Sequence, residues 1–410
     1  MSLARMINKK KIVVLGLNSG TSADGLDMAA VKFDLKKKNL KITYLTSKKK
    51  LYTPELKKFI IMISGAKKLD LEELIYLDNI LGKFYGQKAK AFIKELANKN
   101  IVIDLIASHG QTVRHLPDKV KRLTYNINGT FQIGSPDFIA AATGKVVISD
   151  FRQADIALGN EGAPITVGAM YELFSSNSEP RLFVNIGGIA NYFYFPVQGS
   201  KFSVKAADCG PGNCLCDTLA NKLFKEMFDK NGKHALKGNI SERLLLLLLT
   251  NPFFSGKNIS TGRESFGFDI VSIIIDFGKK FNLSKEDLMA TTAELTARTI
   301  ALKVRRFIQK DKKLSKLYLT GGGRNNIFFV ERIKYHLPGI EVCMADELGI
   351  NADYIEAVSF AVMGEACLHS KPLTSTGRKN KIKSDIALPI LGKVTQPPVT
   401  GSSKYTGKLF

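Results

Sequence analysis

Short apolar runs that end in glycine recur along the chain. Ile12 to Leu15 has the β-branched bias and the length of a buried strand. It opens into GLNSGTSADGLD, Gly16 to Asp27, and Met28 to Phe33 then predicts a second strand. Lys41 to Lys50 reads as a third strand, and Pro54 to Asn98 as two or more amphipathic helices with Lys and Glu outside. Ile101 to Ala107, interrupted only by Asp104, predicts a central strand that delivers Ser108, His109, Gly110, Gln111 and Thr112 at its carboxyl end. A helix over Pro136 to Thr143 and a strand over Val146 to Ile148 lead to the polar run Asp150 to Pro164.

A second round follows. Leu182 to Ile186 predicts a strand ending in Gly187-Gly188, and Tyr192 to Phe195 its antiparallel return. Val204 to Asp208 closes on Cys209, Gly210, Pro211, Gly212 and Asn213, and a helix is expected over Cys214 to Phe228. Leu317 to Thr320 enters the triplet Gly321-Gly322-Gly323, with helices over Asn326 to Leu337 and Ile355 to His369. Beyond Lys371 the chain is polar, with an apolar island at Ile386 to Leu391 and a mobile end expected. A glycine turn after one strand is commonplace. Four of them in two similar halves argue for a duplicated nucleotide-binding core.

The opening loop carries the chemistry of an anion grip. Gly16, Gly20 and Gly25 permit backbone conformations closed to other residues, and Ser19, Thr21 and Ser22 add hydroxyl donors. Asp24 and Asp27 would repel phosphate unless Mg²⁺ or water stands between. No Gly-Lys-Ser/Thr ending or helix follows, which excludes the phosphate loop of P-loop NTPases. A phosphate-gripping strand, loop, strand hairpin is instead the device of the actin, Hsp70 and sugar kinase superfamily. His109 and Gln111 beside Gly110 suit sugar hydroxyls or a carboxylate. The loop Asp150 to Pro164 gathers Asp150, Arg152, Asp155 and Glu161, and could supply a general base; the residues alone leave Asp150 and Asp155 both open. Asp208 could accept from substrate or hold metal-bound water, and the glycine triplet lets backbone approach the adenosine or α-phosphate.

Composition narrows this picture. A chain of 410 residues with 45% hydrophobic content supports two domains. The net charge of +23 comes mostly from scattered Lys without an aromatic-interleaved basic motif, so no nucleic-acid partner is expected. Five cysteines without paired CxxC elements, and no secretory signature, point to reduced thiols and a cytoplasmic protein. No apolar stretch reaches membrane-span length; Leu244 to Leu249 reads as a buried helix.

The motifs taken together resemble one family, the anhydro-N-acetylmuramic acid kinases. They comprise Ser19-Gly20-Thr21-Ser22-x-Asp24-Gly25-x-Asp27, Ser108 to Thr112, Asp150-Phe151-Arg152 with Asp155-Ile156-Ala157, and Gly162-Ala163-Pro164. Asn185 to Asn191, Gly210 to Asn213, Ser260-Thr261-Gly262-Arg263-Glu264, Gly321 to Gly323 with Asn325, and Glu356-Ala357 continue them in order. Asn18, Ala23, Asn160 and the Ala207-Asp208-Cys209 triplet depart from the family pattern.

The resemblance implies an α/β, duplicated RNase H-like fold of two lobes with a nucleotide cleft between them. The N-terminal lobe is expected over 1–140, completed by about 355–410, and the C-terminal lobe over 141–354. It implies an ATP- and Mg²⁺-dependent enzyme that opens the 1,6-anhydro ring with water and phosphorylates O6. Asp155 is then the catalytic base. The ATP residues are Gly20, Thr21, Ser22, Asp24, Gly25, Asp27, Gly187, Gly188, Asp208, Gly210, Gly212, Asn213 and Gly321 to Gly323, with Asp24 also holding the metal, directly or through water. The sugar residues are His109, Gly110, Gln111 and Glu356. A homodimer is compatible with the resemblance. The rival readings are another sugar or carboxylate kinase of the superfamily, disfavoured by Asp155 and the SHGQT segment, and an Hsp70-like clamp, which would need a peptide module that the tail is too short to form.

Overall fold

The computed structural model describes residues 3–36, 39–66, 68–251, 268–373 and 389–398. The Ser260 to Glu264 motif, Thr374 to Gly377 and the start of the Ile386 island lie outside the described residues. The chain divides into two units. One holds the chain up to Ala169 and the described residues from Glu356 on; the other runs from Met170 to Ile355.

In the first unit β1 (Lys11–Ser19), β2 (Gly25–Lys36) and β3 (Asn39–Leu51) form an antiparallel meander. β4 (Leu105–Arg122) and β6 (Val146–Ser149) join β1 in parallel, β5 (Tyr125–Ile133) pairs back on β4, and β12 (Lys393–Thr395) closes the edge beside β6. β1 is central and buried on both faces, which is why its sequence is nearly continuously apolar. One face packs Leu15, Leu17, Leu26 and Met28 against Leu77, Leu81, Tyr85 and Ala89 of the helix α3 (Leu71–Ala97). Thr53 and Asp70 cap α2 (Pro54–Gly65) and α3 by accepting from Leu56 N and Glu72 N, so the two expected helices are separate elements.

The second unit repeats the plan. β7 (Arg181–Ile186), β8 (Ile189–Phe195) and β9 (Lys205–Pro211) form the meander, and β10 (Lys316–Thr320) and β11 (Glu341–Met344) add in parallel to β7. The order β3-β2-β1-β4-β6 is matched by β9-β8-β7-β10-β11. The fold is therefore a duplicated RNase H-like α/β fold, as expected. The core of the second unit gathers on Ala293, Ala297 and Ile300 of the helix Lys285–Lys310, whose N-terminus carries a Ser284/Asp287 capping box.

Several expectations are corrected. The boundary at 140 falls inside the first unit, because β6 hydrogen-bonds to β4 and so brings the loop 150–164 with it. The strand over 101–107 starts at Leu105 and does not end before Ser108: β4 continues through the SHGQT segment because β5 gives it a partner. The helix from Cys214 is α-helical only to Leu219, widens to a π-turn over Ala220–Phe224 and stops where Lys225 turns left-handed, at φ 61°. Within the polar tail Val394 pairs with Ile148, and the end expected to be mobile lies outside the described residues. The leucine run lies in the helix Glu242–Leu249 with Leu244, Leu245 and Leu248 buried. Among the described residues no helix is long and apolar enough to cross a membrane.

Candidate active site

The opening hairpin is tighter than its sequence suggests. β1 and β2 pair as far as Asn18↔Asp27, so the true loop is only Gly20 to Asp24, closed by Ala23 N–H donating to Gly20 O at 3.0 Å. None of Gly16, Gly20 and Gly25 is left-handed; Ala23 is, at φ 51°. Gly16 and Gly25 are required for space: a Cβ at Gly16 would stand 1.9 Å from Ala357 O, and at Gly25 2.3 Å from Lys50 O. Thr21 and Ser22 are exposed at the tip, and Ser19 is buried. Lys57 forms an ion pair with Asp24, and Lys49 lies 3.5 Å from Asp27. Burial raises the Asp24 carboxyl, but hydrogen bonds from Lys57 and Ser22 outweigh it and hold the group below its usual range.

A bulge on β4 decides where the SHGQT side chains go. Leu17 sits opposite Ser108 and Ser19 opposite Gln111, so one extra residue of β4 is accommodated between them. Gly110 takes it up at φ 78°, and a Cβ there would meet Ile133 O at 2.6 Å. His109 and Gln111, which regular alternation would place on one face, diverge. His109 stacks on Phe360 of the helix Ile355–Leu368, with centroids 4.4 Å apart at 22°. Gln111 turns into a buried chain: Tyr52 Oη donates to Ser19 Oγ at 2.8 Å, Ser19 Oγ to Gln111 Oε1 at 2.5 Å, and Gln111 Nε2 to Gly20 O at 3.2 Å. Tyr85 Oη joins Tyr52 Oη at 2.8 Å. Gln111 is 1% exposed, its amide spent on the hairpin tip.

That commitment makes Gln111 a test of the loop. Gln111→Leu keeps the volume and strands Gly20 O, so unfolding in urea should show a loss of about 2 kcal/mol. Hydrogen exchange at the Thr21 to Ala23 amides should quicken by more than at the core strands. Unchanged exchange there would mean that Gln111 does not hold the tip.

The loop after β6 separates its two aspartates. Asp150, left-handed at φ 55°, pairs with Lys393 of β12 at 2.5 Å. Asp155, 2% exposed on the short helix Gln153–Ala157, accepts from Gly162 N at 2.9 Å and from Asn160 Nδ2 at 3.0 Å. Arg152 donates through Nε to His109 Nε2 at 3.0 Å and through Nη1 to Gly162 O at 2.6 Å. Burial first and the Arg152 charge second hold the His109 imidazole well below its usual range, the Gly110 backbone opposing both. His109 is thus neutral, with Nε2 as acceptor and the proton on Nδ1. Burial also lowers Arg152, to about 10, with Glu356 and Asp155 pulling upward. Glu161 stays at the surface. Glu356, in the first turn of the helix Ile355–Leu368, accepts from Asn18 Nδ2 at 2.7 Å.

Asn18 and Asn160, two departures from the expected pattern, thus donate to Glu356 and Asp155. Tyr52, Tyr85 and Lys57 had no periodic or motif signal. Their polar ends meet the loop only through strand order and helix packing.

In the second unit three of the glycine stretches converge. Gly187-Gly188 is the two-residue turn between β7 and β8. Gly212 N donates to Gly188 O at 3.0 Å, and Asn213 Nδ2 reaches Ile186 O at 3.0 Å and Gly187 O at 3.1 Å. Gly321, at φ 76°, and Gly323 lie where a Cβ would stand 2.3 Å from Asn185 Oδ1 and from Ile186 Cγ2. Gly322 has open space beside it. Gly210 belongs to β9 opposite Ala190, and Asp208 lies opposite Asn191, so both are on the sheet, not in the turn. The result is a cradle of close-packed backbone at the carboxyl ends of β7 and β10.

Among the described residues no group of three His, Cys, Asp or Glu side chains could hold a metal alone. Asp24 and Asp27 still fit Mg²⁺ that travels with phosphate, since that ion keeps several waters and needs one or two carboxylates.

A model of the family described as anhydro-N-acetylmuramic acid kinase matches residues 12–383. The anhydro-N-acetylmuramic acid kinase of Caldanaerobacter subterraneus subsp. tengcongensis is 35% identical over 96% of this chain and 99% of its own length. That of Coxiella burnetii is 36% identical over 87% and 91%. Among solved structures, the Clostridium difficile activator of 2-hydroxyisocaproyl-CoA dehydratase with bound ADPNP aligns at 14% identity and a TM-score of 0.41, over 92% of this chain and 100% of that one, values that carry no weight for function. By the family model and by relatives alike over nearly its whole length, this chain belongs to the anhydro-N-acetylmuramic acid kinase family.

Proposed function

We infer that the chain uses ATP to open 1,6-anhydro-N-acetylmuramic acid with water and to phosphorylate O6, giving N-acetylmuramic acid 6-phosphate and ADP. The observation that carries this reading is Asp155: a buried carboxylate held by Gly162 N and Asn160 Nδ2, within the field of Glu161 and Arg152. A kinase of a free hydroxyl needs no such group to activate water. In the proposed sequence Asp155 takes a proton from water as that water bonds to the anomeric carbon. The C1–O6 bond breaks, and O6, now an alkoxide, attacks the γ-phosphorus and expels ADP. One base-activated water thus opens the ring and creates the phosphoryl acceptor.

The exposed tip Thr21-Ser22 and the cradle of Gly187, Gly188, Gly212, Asn213 and Gly321 to Gly323 are assigned to the nucleotide. Asp24, with Asp27 behind it, would hold Mg²⁺ through water, and the ion would offset charge on the phosphates. Lys57 would then be released from Asp24. Glu356 and His109 are assigned to the sugar wall, with Gly110 and Gln111 shaping it from behind. None of the five cysteines is in a disulfide, which fits a cytoplasmic location.

Incubation with ATP, Mg²⁺ and the anhydro sugar in ¹⁸O-water tests the reaction. Mass spectrometry should find a sugar phosphate with one solvent oxygen at C1 and none in the phosphate. A phosphorylated sugar without solvent oxygen would leave an ordinary hydroxyl kinase as the reading.

A further inference from the structure

We propose that Arg152 is the specificity-determining cation of the sugar site and binds a carboxylate substituent of the substrate. The proposal rests on the reading of this chain as a kinase of an acidic sugar. Arg152 is largely enclosed, yet both of its partners are neutral, the His109 ring and the Gly162 carbonyl. Among the described residues no carboxylate lies within 4.0 Å of it, whereas the comparably enclosed Arg298, Arg324 and Arg332 each have one at 2.6 to 3.6 Å. Asp155 and Glu356 act on Arg152 only at longer range. An enclosed cation without a counter-ion is costly, and here the missing anion is one a ligand can bring.

The geometry also aims the group. His109 is clamped by its stack on Phe360, and Phe360 in turn leans on Phe151 at 5.5 Å. Its Nε2 fixes Nε of the guanidinium, and Gly162 O fixes Nη1, so the plane of the fork is set at two points. The remaining N–H protons, on Nη1 and Nη2, have no partner among the described residues. A pre-aimed fork with its end-on edge open matches a carboxylate, and it does so beside Asp155, where the reacting sugar is assigned. Neutral hydroxyls would accept the protons but leave the charge uncompensated. N-acetylmuramic acid differs from the plain amino sugar by such a carboxylate, carried on its lactyl ether.

The test compares the anhydro sugar acid with its primary carboxamide on the full-length wild type, Arg152→Gln and Arg152→Lys. Steady-state kinetics are combined with calorimetric binding of each sugar without nucleotide and of ATP without sugar. Wild type should prefer the acid by about 30-fold, mostly in KM, within the range that a charge-assisted bond contributes. Arg152→Gln should bring that preference close to unity by losing the acid while keeping the amide within a few-fold, and Arg152→Lys should restore part of it. Wild type that accepts acid and amide equally would overturn the proposal. So would a variant that loses both sugars equally, the result of a merely structural role, or one that loses ATP while keeping the sugar acid, which would assign Arg152 to phosphate. If wild type binds the acid in an Arg152-dependent manner but phosphorylates neither sugar, the kinase reading fails and the assignment of Arg152 stands. If it binds neither sugar, both fail.

Discussion

Asp155→Asn is expected to lower turnover of the anhydro sugar by about 10³-fold or more, at the upper part of what a positioned general base contributes. The substitution is nearly isosteric. Asn keeps an oxygen that can accept from Gly162 N, as Asp155 Oδ2 does at 2.9 Å. Its new NH₂ would face Asn160 Nδ2, which now donates to Asp155 Oδ1 at 3.0 Å, but Asn160 can rotate its amide and present oxygen instead. The loop therefore keeps its shape while the proton acceptor is lost. ATP affinity, measured by calorimetry, should stay within about two-fold, since the glycine cradle is built from other residues. Activity near the wild-type level would remove Asp155 from the role of base. A large loss of ATP affinity would mean that the substitution disturbs more than the proton transfer. Asp150→Asn is the control. Its carboxylate is paired with Lys393 on β12, so it should cost stability at the sheet edge and leave the chemical step largely intact.

The repeated plan was legible because a strand buried on both faces reads as a continuous apolar run, and because four of these runs lead into glycine. The candidate site was legible for the same reason, since ligands gather at the carboxyl ends of such strands. What could not be read was how a side chain is spent. Gln111 looks like a ligand residue in the sequence, yet a one-residue bulge at Gly110 turns it away from His109 and into the Ser19 network. Arg152 looked like one more charge in a polar loop; only the fold brings it to His109, 43 positions away in sequence. Asn18 and Asn160 drew notice as departures, and their donors turn out to be aimed at Glu356 and Asp155. That Asp150 is paired with Lys393 depends on a strand formed by residues near 394, which the composition of the tail gave no reason to expect. Each of these is a long-range contact, and local periodicity contains no information about it.

Gly16 illustrates the same limit and yields the largest expected effect on stability. Its place at the start of a glycine-rich segment suggests conformational freedom, but it is a strand residue paired with Ala29 on one side and Ala107 on the other. What it supplies is room. The helix Ile355–Leu368 lies so close to the sheet that a methyl group at Gly16 would stand 1.9 Å from Ala357 O and 3.0 Å from Ala361 N. From the helix side Gly364 does the converse, with a Cβ there falling 2.6 Å from that of Ala107. Both obstacles at Gly16 are backbone atoms, which cannot move aside as a rotamer can, and β1 is flanked by β2 and β4. Overpacking of flexible cores costs about 1–3 kcal/mol. Gly16→Ala should exceed that range, with a loss of about 4 kcal/mol in urea unfolding or failure to accumulate folded protein. Gly65→Ala is the counter-case. It sits at the end of α2 with open space around it and no left-handed backbone, so it should be neutral or stabilise by about 0.5 kcal/mol. Because Glu356 begins the helix that Gly16 admits, any Gly16→Ala protein that does fold should also show the Asn18–Glu356 contact loosened, and with it a raised KM for the sugar. If Gly16→Ala is as stable as Gly65→Ala, then the helix and sheet are not in the close approach described, and Glu356 is not held in place by it.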